Sequence, residues 1–215
     1  KTYLFEATPD VSTQLKLLKN SANFDAPEIP NGIFLTHAHI GHYSGLMYLG
    51  KEATNAKEAQ VFAMPKMQEF LSKNGPWSQL VSNKNIALRG LKNDSTITLT
   101  SNLNVIPFTV PHRDEFSETV GYKIIGPNKT ALFIPDIDKW EKWNKNIVAE
   151  IATVDYAFLD ATFFDGEEIN TRDISEIPHP FIIESMELFK NLSSSEKEKI
   201  YFIHFNHTNP ALNVK

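Results

Sequence analysis

Three histidines within one short run are the strongest chemical signal in this sequence. His37, His39 and His42 lie in the run Thr36-His37-Ala38-His39-Ile40-Gly41-His42. In an extended segment, residues two apart point to the same side, so His37 and His39 can bind one metal ion together. A turn through Gly41 then brings His42 to a second position nearby. Neutral imidazole is a common ligand of zinc, iron, nickel and copper, so the run predicts a transition-metal site. The alternative is three separately hydrogen-bonded histidines.

Further metal-capable residues follow predicted strands directly. These residues are His112 after Phe108-Thr109-Val110, Asp136 after Phe133-Ile134-Pro135, Asp160 after Phe158-Leu159, and His204 after Phe202-Ile203. Sheets commonly build their sites at the carboxyl ends of strands, so we expect these residues and His37 to share one site. For His112 the alternative is a histidine in a surface loop.

The elements that must position these residues are mixed in type. Runs rich in β-branched and aromatic residues indicate strands at Tyr3–Ala7, Gly32–Thr36, Gln60–Ala63, Ile97–Thr100, Asn104–Val110, Val120–Ile125, Thr130–Ile134, Tyr156–Leu159 and Lys199–Ile203. Helical patterns lie between them, with a stripe of Val11, Leu15 and Leu18 and further helices at Gly45–Leu49, Pro65–Lys73, Lys139–Ile151 and Pro180–Leu192. This mixture favours a layered α/β sandwich over a helical bundle or an all-β barrel.

Length and composition limit the partners. The 215 residues suit one domain, and the formal net charge of −5 argues against nucleic acid, which requires a basic face. Because there are no cysteines, any metal must be held by imidazole and carboxylate. No apolar run approaches a membrane span, so we expect no membrane partner. We expect a small-molecule substrate, and the sequence does not indicate an oligomeric state.

The two ends of the chain suggest a trimmed core. The chain opens within a predicted strand and stops shortly after a motif, so we expect it to lack short native N- and C-terminal segments. No signal peptide pattern is present, which favours a cytoplasmic protein. Export is the alternative if a signal was removed.

These motifs carry a family resemblance. The histidine run resembles the His-x-His-x-Asp-His signature of the metallo-β-lactamase superfamily, and His112, Asp136 and His204 follow in the superfamily's order. The run from Tyr3 to Asp10 and the run His204-Phe205-Asn206-His207-Thr208-Asn209-Pro210 are most similar to the pyrroloquinoline-quinone biosynthesis protein B group. The cyclic-phosphodiesterase and tRNase Z branches are more distant. The resemblance implies a four-layer αββα sandwich in a single domain over residues 1–215.

The resemblance also implies a ligand set. By position, His37, His39 and His112 would hold a first metal ion, Asp136 would bridge, and His42 with His204 would face a second ion. Gly41 stands where the family has aspartate, which removes an oxygen ligand from the second position. That position is then empty, weaker or completed by another residue. The candidates for that residue are His207, Asp138, Asp114 and Glu118.

A second resemblance concerns proton transfer. Leu159-Asp160-Ala161-Thr162-Phe163 resembles a tRNase Z run whose acid pairs with a histidine of the next helix, which here would be His179. A carboxylate fixes the tautomer of an imidazole and readies it to pass a proton to a leaving group. The alternative, given equal weight, is that Asp160 caps a turn and His179 is structural. We expect Asp138 to cap the helix that begins near Lys139.

The leading hypothesis is a metal-dependent hydrolase of a small-molecule ester, lactone or phosphodiester, with one or two zinc ions and iron or manganese as alternatives. Such a metal lowers the pKa of bound water to about 7 and so supplies metal-bound hydroxide, while Asp160 and His179 serve the leaving group. One alternative is an iron-dependent oxidase or oxygenase related to quinone cofactor biosynthesis. The other is a catalytically silent metal-binding scaffold.

Overall fold

The computed structural model describes residues 1–22, 27–168 and 177–213. The chain divides into two compact units. Unit 1 comprises Lys1–Lys92 and Asp114–Glu118, and unit 2 comprises Asn93–Arg113 and Thr119–Lys215. The single-domain prediction stays a prediction.

Unit 1 is built on a parallel sheet of four strands. The strands are β1 (Tyr3–Phe5), β2 (Gly32–Phe34), β3 (Ala59–Ala63) and β4 (Ile86–Gly90), paired in that order. Parallel neighbours need crossover connections. The connecting helices are α1 (Val11–Ala22), α2 (Ile40–Tyr43), a 3-10 turn at Ser44–Leu49, α3 (Pro65–Lys73) and α4 (Trp77–Ser82). Because all four strands run the same way, the segments that follow them leave the same edge of the sheet.

Apolar residues at helical and strand spacing hold unit 1 together. Val11 and Leu15 form the buried stripe of α1, and Met67 and Leu71 form that of α3. They pack with buried strand residues such as Val61 in one core. The spacing of four residues puts each helix pair on one face, which explains why the apolar stripe that includes Val11 and Leu15 predicted α1.

Unit 2 is built on a mixed sheet of six strands. The strands are β5 (Ile97–Thr100), β6 (Leu103–Thr109), β7 (Val120–Ile125), β8 (Thr130–Ile134), β9 (Tyr156–Asp160) and β10 (Ile200–Ile203), in the spatial order β10-β9-β8-β7-β6-β5. Strand β7 is antiparallel to β6 and to β8, whereas β8, β9 and β10 are mutually parallel. Strands β6, β8, β9 and β10 therefore run in one direction and end at one edge. The α-helices are α5 (Ile147–Ala152), α6 (Ile182–Leu188) and α7 (Ser194–Lys197).

The predicted elements differ from the structure over Lys139–Ile151 and over residues 77–90. The continuous helix expected over Lys139–Ile151 is wrong: a 3-10 turn at Trp140–Lys142 is separated from α5, whose N-cap Asn146 accepts a hydrogen bond from Ala149 N. The break lets the indole N–H of Trp140 donate to Ser185 Oγ and that of Trp143 donate to Thr109 O. Strand β4 and helix α4 are not predicted, because each carries only five or six residues of weak pattern.

The predicted α/β class is confirmed, since each unit contains one sheet with flanking helices. Across the described residues, no helix has the length and apolar character needed to cross a membrane.

Candidate metal centre

The histidine run of unit 1 follows β2, and its imidazole rings lie close together. His37 Nε2 and His39 Nδ1 face each other at 2.8 Å, and the ring centroids of His37 and His42 are 4.1 Å apart. Helix α2 begins at Ile40, and His42 N donates to His39 O at 2.9 Å. The structure thus brings His37, His39 and His42 together, as the sequence predicts. The predicted turn through Gly41 is a short helix.

Glu6 supports this cluster from the end of β1. Its side chain is 4% exposed, Oε1 accepts a hydrogen bond from Thr36 N at 3.0 Å, and Oε2 lies 3.0 Å from His42 Nδ1. An ionised carboxylate can only accept, so neutral His42 carries its proton on Nδ1 and its lone pair on Nε2. Glu6 has φ of 78°, an uncommon value for a residue other than glycine. The fold therefore holds a strained residue where it orients a histidine.

The segment Asp114–Glu118 supports the cluster from another side of unit 1. Glu115 Oε2 lies 2.9 Å from His39 Nε2, and Ser117 Oγ accepts a hydrogen bond from Ala38 N at 2.8 Å. By the same argument, neutral His39 carries its proton on Nε2 and its lone pair on Nδ1, the atom that faces His37. Carboxylates that hold the outer nitrogen of a histidine are typical of metal ligands.

Unit 2 contains a buried cluster of a histidine and two carboxylates. Asp136, Asp160 and His179 offer ligand atoms that all lie within 4.8 Å of one another. His179 Nδ1 lies 3.1 Å from Asp136 Oδ1 and 3.0 Å from Asp160 Oδ2. Asp136 follows β8 and Asp160 ends β9, so two parallel neighbouring strands bring the carboxylates together. This cluster is compatible with binding a metal ion.

Asp160 accepts several hydrogen bonds besides its contact with His179. It is fully buried, and Oδ2 accepts a hydrogen bond from Ile137 N at 3.1 Å. Its Oδ1 accepts from Thr162 N at 2.8 Å and from Thr162 Oγ1 at 2.6 Å. Asp160 therefore ties the ends of β8 and β9 to His179. The predicted Asp160–His179 contact is present, and its catalytic role stays a prediction.

His112 has a carboxylate near each of its ring nitrogens, whereas His204 has a hydroxyl at one of them. His112 Nε2 lies 3.3 Å from Asp136 Oδ1, and its Nδ1 lies 3.2 Å from Asp138 Oδ1. His204 Nδ1 lies 2.8 Å from Thr162 Oγ1. Because that hydroxyl donates to Asp160, it must accept from His204 Nδ1, which leaves the lone pair of neutral His204 on Nε2. His204 also has positive φ, of 65°.

The charges of this cluster compensate one another. Burial lowers the pKa of His179, but hydrogen bonds to Asp136 and Asp160 outweigh burial and raise it to about 10. Burial likewise lowers the pKa of His204, but its interaction with Asp160 raises the pKa by more, so the pKa of His204 lies above its ordinary value. Burial raises the pKa of Asp160, yet His179 and His204 lower it below its ordinary value. Opposite charges at hydrogen-bond distance therefore keep Asp160 ionised despite burial.

Some predicted residues lie elsewhere or act differently. Asp138 does not cap a helix as expected; it contacts His112 and, through Oδ2, Lys142 Nζ at 3.1 Å. Glu118 accepts from Lys66 N at the start of α3, at 3.0 Å. His207 is exposed, with Nδ1 3.2 Å from Asn206 Oδ1, and belongs to no metal-capable cluster of the described chain. Asp114 belongs to the segment that carries Glu115.

Sequence reasoning missed the residues that orient the histidines. Glu6, Glu115 and Thr162 each contact a histidine 36 to 76 residues away. Glu6 could have been found, because like the predicted ligands it follows a strand directly. Thr162 lies in the run that resembles tRNase Z, but nothing in the sequence links it to His204.

The donor set suits a transition metal. Imidazole nitrogens with their outer nitrogen fixed by a carboxylate or hydroxyl, together with carboxylate oxygens, are ligands that zinc, iron and manganese accept. The tautomers derived for His39, His42 and His204 each place a lone pair opposite the fixed nitrogen. A metal ion therefore fits the chemistry of these residues.

Comparisons with known proteins identify the family and the fold. The sequence profile of the family described as Beta-lactamase superfamily domain matches residues 1–205. A search of curated protein sequences gives no match. Zn²⁺-bound PqqB from Methylobacterium extorquens is similar in fold, with a TM-score of 0.72 at 20% identity over 98% of this chain and 74% of that one.

Two hydrolases are also similar in fold. A diphosphatase of the PhnP family has a TM-score of 0.59 at 20% identity, over 97% of this chain and 70% of that one. The short form of human tRNase Z has a TM-score of 0.61 at 15% identity, over 95% of this chain and 82% of that one. Identities this low support the fold alone. The fold match and the family profile over residues 1–205 confirm the predicted metallo-β-lactamase fold, and the chain belongs to the Beta-lactamase superfamily domain family.

Proposed function

We propose that this protein is a metal-dependent hydrolase of a small-molecule ester, lactone or phosphodiester. The observation that carries the proposal is the buried carboxylate of Asp136, a proposed metal ligand, which contacts His179 Nδ1 beside Asp160, in a chain that belongs to a family of mostly metal-dependent hydrolases. The proposed ligands are those that the motif positions imply: His37, His39, His42, His112, Asp136 and His204. Zinc is the proposed metal, with iron or manganese as alternatives, and the zinc of the structurally similar PqqB supports it.

Each group of residues has a distinct task in this proposal. A metal ion bound by imidazole and carboxylate acidifies a bound water and polarises the bond under attack. Glu6 and Glu115 hold the outer nitrogens of His42 and His39. This keeps the imidazole lone pairs on His42 Nε2 and His39 Nδ1, the atoms that would bind the metal ion. Asp160 holds His179 by Nδ1, so Nε2 is the nitrogen that can pass a proton to a leaving group. The net charge of −5 favours a small substrate over a polynucleotide.

The test combines metal analysis with turnover. Protein purified without added metal would be analysed by mass spectrometry for bound metals, then assayed with phenyl esters, an aryl lactone and bis(p-nitrophenyl) phosphate. We expect zinc or manganese and hydrolysis that does not depend on oxygen. Iron with oxygen consumption would instead support the oxidase alternative. Metal without turnover on any substrate class would support the scaffold.

Replacing His179 by alanine tests the proton-transfer role. We expect kcat for a phenyl ester to fall about 10²-fold, because phenolate leaves poorly without a proton. The loss should be much smaller for the p-nitrophenyl ester, whose leaving group needs no proton. His207→Ala is the matched histidine control and should leave both rates unchanged. Equal losses on the two esters would show that His179 has another role.

Replacing Gly41 by aspartate tests the second metal position. A Cβ built on Gly41 meets no described atom within 4 Å apart from its chain neighbours and its own helix backbone, so the first atom of a new side chain has open space. We expect the variant to bind about one more zinc ion per chain at equal free zinc, since it restores an oxygen ligand. Gly41→Asn, of equal size and without the charge, is the control. Equal zinc content in the two variants, measured by equilibrium dialysis, would contradict this prediction.

A further inference from the structure

Two large apolar side chains of unit 1 are exposed at positions next in sequence to the His39–Glu115 contact. Ile40 follows His39 and is 70% exposed, and Phe116 follows Glu115 and is 62% exposed. His39 and Glu115 contact each other at 2.9 Å. Each apolar side chain therefore lies one residue beyond a member of the same contact. Single exposed apolar residues are common on proteins, whereas two that each follow a member of the same contact suggest a shared role.

Phe116 is exposed although its segment is firmly held. Its ring centroid lies 5.7 Å from that of Phe70, whose centroid is 5.3 Å from that of Tyr43, the residue after His42. The next two residues are anchored, with Ser117 Oγ bonded to Ala38 N and the Glu118 carboxylate to Lys66 N. An aromatic ring kept in water by a fixed backbone is available to a ligand at little cost in conformational entropy.

Charge around these side chains limits what they can bind. The segment Asp114–Glu118 contains three carboxylates and no basic residue. A phosphate-rich substrate would be repelled there, whereas a neutral apolar group would not. The two exposed side chains and the acidic segment thus favour an uncharged ligand group.

We infer that Ile40 and Phe116 form an apolar rim that binds the aliphatic or aromatic group of a carboxylic ester or lactone. The inference rests on the proposed function and narrows it, because it selects esters and lactones over phosphodiesters. The metal-directed end of the substrate would lie at the histidine cluster and its apolar group on Ile40 and Phe116.

The test measures binding of two hydroxamates to the zinc-loaded protein by calorimetry. Acetohydroxamate and hexanohydroxamate bind metal through the same group and differ by four methylenes. We expect the longer compound to bind roughly tenfold more tightly, a fraction of what full burial of the added chain would give. In Ile40→Ser and Phe116→Ser the ratio should fall to less than about threefold. Leu17→Ser removes an equally exposed side chain from α1 and should leave the ratio unchanged.

The outcomes separate this inference from the proposed function. A ratio near one in the unaltered protein, or a ratio that survives both rim substitutions, overturns the inference. Binding of zinc without any binding of hydroxamate overturns it as well. If the longer hydroxamate binds more tightly but neither p-nitrophenyl acetate nor p-nitrophenyl hexanoate is hydrolysed, the result supports the apolar rim and contradicts the proposed hydrolase function. A protein that takes up no metal contradicts both.

Discussion

Replacing Asp136 by alanine is expected to remove most of the bound metal and to lower kcat/KM about 10³-fold or more. The family position assigns Asp136 the bridging role, and a metal ion contributes several kcal/mol of transition-state stabilisation. The fold should survive. His112 keeps Asp138 and His179 keeps Asp160, and the repulsion between Asp136 and Asp160 is relieved. We expect a stability loss of about 1 kcal/mol in urea unfolding of metal-free protein.

Asp138→Ala is the matched control for this substitution. It removes one carboxylate from the same loop and from the same histidine, His112, but from the outer nitrogen. Loss of such a supporting group typically weakens metal binding by about 10- to 100-fold without abolishing it. Similar metal affinity in the two variants would show that Asp136 is no ligand. A large stability loss with unchanged metal content in Asp136→Ala would favour the catalytically silent scaffold.

The positions of the candidate site residues could be predicted because the sequence shows where the strands end. Phe133-Ile134 and Phe158-Leu159 are apolar runs that stop at Pro135-Asp136 and at Asp160, and the structure ends β8 and β9 there. Strand direction explains why the residues after these strands lie near one another, since β6, β8, β9 and β10 run the same way. A polar residue after each strand is therefore brought to a common edge.

The partners of the histidines could not be read in the same way. Glu6 reaches His42 across 36 residues and Glu115 reaches His39 across 76, so the contacts exist only once the chain is folded. No local pattern distinguishes Glu115 from Asp114 or Glu118, although their side chains do different things. Local propensity predicts elements, whereas the choice among neighbouring carboxylates depends on the tertiary structure.

The helix expected over Lys139–Ile151 failed for a related reason. Trp140 and Trp143 lie three residues apart, a spacing that favours one apolar helix face, and both side chains are buried. Each indole N–H, however, requires an acceptor when buried, and the acceptors are Ser185 Oγ and Thr109 O in distant segments. Two tertiary hydrogen bonds thus prevail over a helical pattern. Asn146, a good N-cap residue, was the overlooked sign that a new helix starts there.

Replacing Asp160 is expected to destabilise unit 2, because full burial and several hydrogen bonds coincide at its carboxylate. It is fully buried, and it accepts hydrogen bonds from two backbone N–H groups and one hydroxyl besides its contact with His179. The N–H and hydroxyl groups that donate to Asp160 have lost their contact with water on folding, and water cannot replace the carboxylate as their acceptor when it is removed. The cost of the substitution is then the desolvation of every orphaned donor.

Asp160→Ala is therefore expected to lower the free energy of unfolding by about 3–5 kcal/mol, the range for removing one partner of a buried ion pair. Asp160→Asn should lose about half as much, because its carbonyl oxygen can still accept from Thr162 N while the charge opposite His179 is gone. Both would be measured by urea unfolding of metal-free protein, so that metal binding does not contribute. Asp155→Ala is the control, since it removes a carboxylate that also bonds a backbone N–H, of Thr130, but at the exposed start of β8. It should cost much less than Asp160→Ala, because exposed ion pairs contribute little to stability. If Asp160→Ala cost no more than Asp155→Ala, the buried network would not stabilise unit 2, and the Asp160 carboxylate would have to be explained by catalysis alone.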